Sequence, residues 1–167
     1  MGMQLIETIE VTDTSAPLYL EFANIDQDGV DLLVTLSARA ASGTPQYRSN
    51  YLWLNGLSSG FSAIRLSGNG SSTSSTSASN SYAPTMTGTS ATASTFANAQ
   101  YYISNYTSSE NKAIALDSVT ENNGTTVFML IDAYQWANTD AITNVKIGGS
   151  TTFAQYSTAS LYKITAD

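Results

Sequence analysis

The stretch TTVFMLIDAYQWANTDAITNVKI, Thr125 to Ile147, decides how the rest of this 167-residue chain must be arranged. Its first half, Thr126 to Trp136, is the longest densely apolar run in the sequence. With a period of two, the run places apolar side chains on both faces: Phe128, Leu130, Tyr134 and Trp136 on one, interrupted by Asp132, and Val127, Met129, Ile131 and Ala133 on the other. A strand that is apolar on both faces is expected to be covered on both sides. The stretch therefore predicts an inner strand in the core of a β architecture.

The rest of the chain repeats the period of two, most clearly over Val30 to Arg39. Further strands are predicted over residues 4–11, 18–22, 48–55, 61–67, 99–106, 112–120, 141–147 and 153–165. The Asn55-Gly56 and Asn123-Gly124 dipeptides are hairpin signals, which pair 48–55 with 61–67 and 112–120 with the apolar run. About nine to ten short strands and no helical segment predict an all-β, antiparallel β-sandwich of jelly-roll type, with a closed barrel as the alternative.

The middle of the chain differs in composition, because no charged residue lies between Arg65 and Glu110. Residues 67–99 are mostly Ser, Thr, Ala, Gly and Asn, which predicts a long exposed excursion with a short strand around 81–87. A disordered linker between two domains is the alternative, but each side would then have too few strands for its own core. We therefore expect one domain over residues 1–167.

Composition excludes several classes of function. Without histidine or cysteine the chain lacks the usual general base and any thiolate metal ligand, so we expect no enzyme and no cofactor. Six Lys and Arg against thirteen Asp and Glu, scattered and giving a net charge of −7, are unsuited to nucleic acid. No apolar run reaches the roughly 18 residues of a membrane span, and no signal peptide opens the chain.

Two groups of carboxylates are candidate sites. The sequence Asp26-x-Asp28-Gly29-x-Asp31 has oxygen ligands for Ca²⁺, but its glycine comes too early for an EF-hand loop and a closing Glu is absent. A turn is the favoured interpretation, and Asp26, Asp28 and Asp31 remain the only metal candidates. Asp117 and Asp132 could meet in a cleft as an acid–base pair. We favour instead a structural Asp132, paired with a cation or open to solvent at a strand end.

Aromatic side chains are the other candidates, because exposed rings on a sandwich can stack on sugars. The rings in question are Tyr47, Trp53, Tyr101, Tyr102, Tyr106, Trp136 and Tyr156. Most of them are expected to fill the core, since aromatic side chains pack well in strands. Tyr47, Trp53, Tyr101 and Trp136 are the predicted interface residues.

Three segments carry a resemblance to a known group of proteins: QDGVDLLVTLSAR (Gln27 to Arg39), SVTENNGTTVF (Ser118 to Phe128) and FAQYSTASLYKI (Phe153 to Ile164). They resemble virion proteins of tailed bacteriophages, whose closing Ser-x-x-x-Leu-Tyr-x-Ile strand is matched by Ser157, Leu161, Tyr162 and Ile164. The likeness covers most of the chain outside residues 67–99. It implies a structural role in a virion and provides no catalytic residues.

Two roles in a virion fit, a capsid decoration or cement protein and a tail or fibre module that binds a host glycan. The first is favoured because the chain has neither the coiled coil nor the repeats of a fibre shaft. The expected partners are then the major capsid protein or another virion protein and further copies of the chain, as a trimer, with a glycan possible and neither nucleic acid nor membrane. The chain would be made in the host cytoplasm and reside in the virion.

Overall fold

The computed structural model describes residues 2–13, 16–43, 45–122 and 127–166. Within these ranges the chain is all-β, with twelve strands and no helix. The strands are β1 Gly2–Glu10, β2 Tyr19–Ala23, β3 Asp31–Ala38, β4 Tyr47–Leu54, β5 Phe61–Gly68, β6 Thr73–Ala78, β7 Ala83–Thr87, β8 Ala97–Ile103, β9 Lys112–Glu121, β10 Val127–Trp136, β11 Asn144–Gly148 and β12 Thr158–Thr165. The count exceeds the predicted nine to ten because the Ser/Thr-rich stretch contains two strands: β7, which confirms the short strand predicted around 81–87, and β6, which the sequence does not predict.

Eight of the strands form a jelly roll, which confirms the predicted fold class. β1 pairs with β12, β2 with β11, β3 with β8 and β4 with β7, all antiparallel. The chain is thus one long hairpin, rolled up so that its successive segments alternate between two sheets. One sheet has the order β1-β12-β3-β8 and the other β2-β11-β4-β7. This double-sheet arrangement is typical of jelly rolls.

The other four strands enlarge the first sheet to eight. The β5–β6 hairpin is inserted between β4 and β7, and the β9–β10 pair lies between β8 and β11. Because β9 pairs with β8 and β10 with β5, the larger sheet has the order β1-β12-β3-β8-β9-β10-β5-β6. We call β9, β10, β5 and β6 the extension.

The predicted hairpin between residues 48–55 and 61–67 is wrong. β4 belongs to the smaller sheet and β5 to the larger one. The turn itself exists, with φ of 49° at Asn55 and 76° at Gly56. However, the Asn55 side chain bonds to the backbone of Ala141, Thr143 and Asn144 near β11, and the chain crosses to the other sheet before β5 begins. Turn chemistry sets the local reversal, whereas packing sets the strand partner.

The apolar run of the sequence becomes β10, with hydrogen-bonded neighbours β9 and β5 on its two edges. One face is core, since Leu130, Tyr134 and Trp136 are at most 3% exposed. The expectation that both faces are covered is wrong, because Met129 and Ile131 on the other face are 47% and 51% exposed. The Asn123-Gly124 turn predicted before this strand lies outside the described residues.

The expectation of a long exposed excursion over residues 67–99 is correct only for its first half. Every residue of β6 except Ala78 is exposed, but all five residues of β7, the edge strand of the smaller sheet, are buried. The loop after β7 is held by Arg39, whose guanidinium donates to the backbone carbonyls of Ala91, Thr92 and Thr95. The middle of the chain is therefore part of the sandwich.

Candidate functional site

The outer side of the extension presents aliphatic side chains to solvent. On β9, β10 and β5 every second residue points outward, away from the smaller sheet. The outward aliphatic residues are Val119, Val127, Met129, Ile131, Ile64 and Leu66, which are 43% to 63% exposed, with Ala113, Ala115 and Ala133 between them. We call this set the apolar face.

Strand register makes the apolar face continuous. Ile131 lies opposite Leu66 on β5, and Met129 lies opposite Val119 on β9. Directly opposed side chains in a sheet have Cβ atoms about 5 Å apart, so these residues are in contact across the strands. Beside them the β5–β6 hairpin forms one wall of an open groove of about 420 Å³, lined by Leu66, Met129, Ile131 and residues 73–75.

The size of this face can be estimated from sheet geometry. Three to four strands spaced about 4.8 Å apart, with about nine residues each rising about 3.4 Å, cover roughly 400 to 600 Å². That equals the largest apolar patch of a typical monomer, which is often functional. It is about half to three-quarters of the roughly 800 Å² that each partner buries in a stable protein complex. The face is large enough to be a docking surface.

The other half of the same sheet has an ordinary surface. Outward positions of β3, β8 and β12 carry the polar residues Thr35, Ser37, Asn98, Gln100 and Ser160, interspersed with Leu33, Tyr102 and Tyr162. Aliphatic side chains are also exposed on the edge strand β1, at Met3, Leu5 and Ile6, but β12, β3 and β8 lie between that strand and the extension. A sheet with one solvated face normally carries polar residues there, so the apolar face departs from what solubility alone requires.

Asp132 lies on the inner side of β10 in a buried polar cluster. Its carboxylate is fully buried and accepts two hydrogen bonds from Arg65, 2.8 Å from Nε and 2.6 Å from Nη2. The Tyr134 hydroxyl donates a third hydrogen bond to it. The bond to Asp132 raises the pKa of Arg65, and burial raises the pKa of Tyr134. This is the pairing with a cation that the sequence suggested.

The acid–base pair considered for Asp117 and Asp132 is not formed. In the β9–β10 ladder Asp132 is opposite Leu116 and Asp117 is opposite Ile131, so the two carboxylates lie on opposite sides of the sheet. Asp132 points into the core and Asp117 into solvent at the border of the apolar face. The arrangement supports a structural ion pair and does not place two carboxylates around a substrate.

In the acidic turn, the carboxylates of Asp28 and Asp31 accept hydrogen bonds from protein donors, and the backbone carbonyl of Asp26 accepts one from the Tyr106 hydroxyl. Lys163 donates to both carboxylate oxygens of Asp28, at 2.8 and 2.6 Å, and this bond lowers the pKa of Asp28 and raises that of Lys163. Asp31 accepts hydrogen bonds from the Tyr102 hydroxyl and the Asn105 backbone. Across the described ranges, no group of three or more acidic side chains is placed to hold a metal ion.

The predicted interface aromatics separate into two pairs. Tyr101 and Trp136 are fully buried in the core, so neither side chain can reach a partner from outside the fold. Tyr47 is 38% exposed and stacks on Phe128, with ring centroids 4.6 Å apart. Trp53 is half-buried on the outer side of the smaller sheet.

Trp53 belongs to a row of four rings on that outer side. Its ring centroid is 5.9 Å from that of Tyr19 and 6.4 Å from that of Tyr51, and Tyr51 is 4.7 Å from Tyr82. The Lys146 ammonium lies 4.9 Å from the centroids of both Tyr19 and Trp53. We call Tyr19, Trp53, Tyr51 and Tyr82 the aromatic row. Sequence reasoning did not single out its three tyrosines, although Tyr19 and Tyr51 occupy outward positions of predicted strands.

Comparison with protein-family models, with curated proteins and with solved structures found no match to this chain. Among the described residues there is also no helix of the length and apolarity that a membrane crossing requires. The two candidate functional surfaces are therefore the apolar face and the aromatic row.

Proposed function

We propose that this chain is a structural protein of a bacteriophage virion, a capsid decoration or cement protein that binds the assembled shell through its apolar face. The virion assignment rests on the resemblance of three sequence segments. The attachment surface rests on one observation, the contiguous aliphatic side chains exposed on the outer side of the extension. Burying such a surface against a protein lattice removes apolar area from water and stabilises the assembled state.

The size of the face fits attachment in many copies. A patch of roughly 400 to 600 Å² is modest for one stable complex. When copies are linked to one another, as in the trimer expected above, each further contact is intramolecular and the modest affinities multiply. Stabilisation of the shell then follows by linkage, because the protein binds the assembled lattice and not its free subunits.

The test is binding to shells of the virus that encodes the chain. Purified protein should sediment with empty expanded shells and raise their melting temperature. Ile131→Glu, which places a charge in the centre of the apolar face, should abolish both effects while the variant itself stays folded. Ser37→Glu adds the same charge to the polar half of the same sheet and should bind as the original chain does. The proposal is refuted if Ile131→Glu binds shells as well as Ser37→Glu does, or if neither the original chain nor Ser37→Glu binds them.

Glycan recognition is a second candidate function, favoured by the aromatic row. Four rings in a line on a sheet surface, bordered by Glu21 and Asn144, combine stacking surfaces with hydrogen-bonding groups. A glycan array, followed by titration of tryptophan fluorescence, tests it. Binding should be lost in Tyr82→Ala and retained in Tyr156→Ala, since Tyr156 is exposed but lies outside the row. An array without hits eliminates this candidate.

A further inference from the structure

None of the six cationic side chains is fully exposed. Lys112 and Lys163 are buried, and the four arginine and lysine side chains that remain are half-buried. Each but Arg48 has a defined partner: carboxylates for Arg65 and Lys163, backbone carbonyls for Arg39 and Lys112, and two aromatic rings for Lys146. No fully exposed cation is therefore available on the part of the chain that the structure describes.

Among the residues that the structure describes, every fully exposed charged side chain is a carboxylate. The exposed carboxylates are those of Glu7, Glu10, Asp13, Glu21, Asp26, Asp28, Glu110, Asp117 and Asp140. The net charge of −7 is thus concentrated at the surface, where it acts on anything that approaches.

One of these carboxylates, Asp117, lies at the border of the apolar face, opposite Gln100 on β8. Its cross-strand neighbour on β10 is Ile131, and the outward residues beside it along β9 are Ala115 and Val119. A surface that covers Ile131 also takes Asp117 out of water. Removing a carboxylate from water costs several kcal/mol unless an opposite charge and hydrogen bonds replace the solvent. The occupant of the face must therefore supply a cation at this point.

A second copy of the chain does not meet that requirement. Face-to-face pairing would bring two apolar faces together with an unpaired Asp117 from each, and the described surface offers no exposed Lys or Arg for either. Two chains that each carry a net charge of −7 also repel each other before contact.

We infer that the apolar face is covered by a different protein, whose surface has an apolar centre and a Lys or Arg side chain placed opposite Asp117. This inference rests on the proposed function, because it specifies the partner chemistry of the same docking surface. It implies that copies of the chain do not use this face to bind one another.

The self-association arm uses the full chain alone in sedimentation velocity runs at low and high NaCl. The expected result is that no dimer or larger species forms through the apolar face at either salt concentration. High salt screens the repulsion and is therefore the stringent condition. A dimer that is lost in Ile131→Glu and kept in Ser37→Glu would identify a second copy as the occupant and overturn the inference.

The partner-chemistry arm uses three synthetic strand peptides of about nine residues, in which Leu alternates with Lys, with Ser or with Glu. Binding to the isotope-labelled full chain is mapped by NMR chemical shifts. The Leu–Lys peptide should shift amides of β9, β10 and β5 and bind about tenfold more weakly to Asp117→Asn. Glu10→Gln removes an equal charge from the polar half of the sheet and should leave this affinity unchanged.

The inference fails if Asp117→Asn binds the Leu–Lys peptide as tightly as the original chain, if the Leu–Ser peptide binds equally well, or if the shifts lie outside the face. Shell binding separates this failure from failure of the proposed function. If shells bind Asp117→Asn as tightly as they bind the original chain, only the inference is contradicted. If the peptides bind as expected but shells do not bind the chain, only the virion role is contradicted.

Discussion

Arg65→Met is expected to destabilise the fold by about 3–5 kcal/mol, because it removes one partner of a buried ion pair. The Asp132 side chain has no solvent exposure, whereas that of Arg65 is 18% exposed. The carboxylate would lose both guanidinium bonds and keep only the Tyr134 hydroxyl as a donor. Such a loss is a large part of the roughly 5–15 kcal/mol by which a domain of this kind is stable.

The matched control removes the whole polar cluster. The triple variant Arg65→Met, Asp132→Leu, Tyr134→Phe leaves no charge and no hydroxyl of this cluster in the core. Apolar replacement of a buried ion pair is often neutral or stabilising, so the triple variant should be more stable than Arg65→Met alone. The backbone carbonyl of Tyr82 also loses its bond from Arg65, but this residue is exposed and water can substitute.

Urea unfolding followed by tryptophan fluorescence measures the effect, since Trp136 is fully buried next to this cluster in β10. The free energy of unfolding is compared at equal denaturant slopes, because a change of slope would signal altered compactness of one state. The reasoning is refuted if Arg65→Met costs less than about 1 kcal/mol, or if the triple variant is no more stable than the single one.

Two further predictions concern packing and pH. Gly88→Ala should prevent folding at ordinary temperature, because its Cβ would lie 1.7 Å from the Pro45 carbonyl oxygen. Gly70→Ala, at a φ of +84° but with no atom within 4 Å, should cost only about 1 kcal/mol of stability. Thermal melts compare the two variants, and coinciding melts would contradict this prediction. Burial raises the pKa values of Tyr101 and Tyr134, so their contribution to stability is complete below the unfolded-state pKa of about 10 and is lost as the pH rises above it. Tyrosinate absorbance during an alkaline titration should therefore include a late step that coincides with unfolding, and Tyr134→Phe should diminish it; ionisation of all tyrosines before unfolding would contradict the reasoning.

Much of the fold could be predicted because alternation is a local property. The alternation over Val30 to Arg39 and Lys112 to Thr120 predicts strands, which the structure confirms, since a period of two shows which side chains share a face. Partner choice could not be predicted in the same way. β4 and β5 are adjacent in sequence and are joined by a turn. They nevertheless belong to different sheets, because each pairs with other strands.

The candidate surfaces divide along the same line. Alternation revealed that β10 has two apolar faces, but not that one of them would be left open. Asp132 was recognised as the only polar break in the run, but its partner Arg65 lies on a strand 67 residues earlier in the chain. Tyr101 and Trp136 look like surface aromatics only until the packing of the two sheets encloses them.

By itself, then, the sequence determined an all-β jelly roll, the positions of most strands and a composition poorly suited to catalysis by a histidine or cysteine. These properties depend on residue type and on spacing within a strand. Only the tertiary structure decided which faces are covered, that no Lys or Arg side chain is fully exposed, and that Asp117 lies outside, beside aliphatic side chains. Burial is a relation between segments distant in the chain, and no local pattern records which segment will lie over which face.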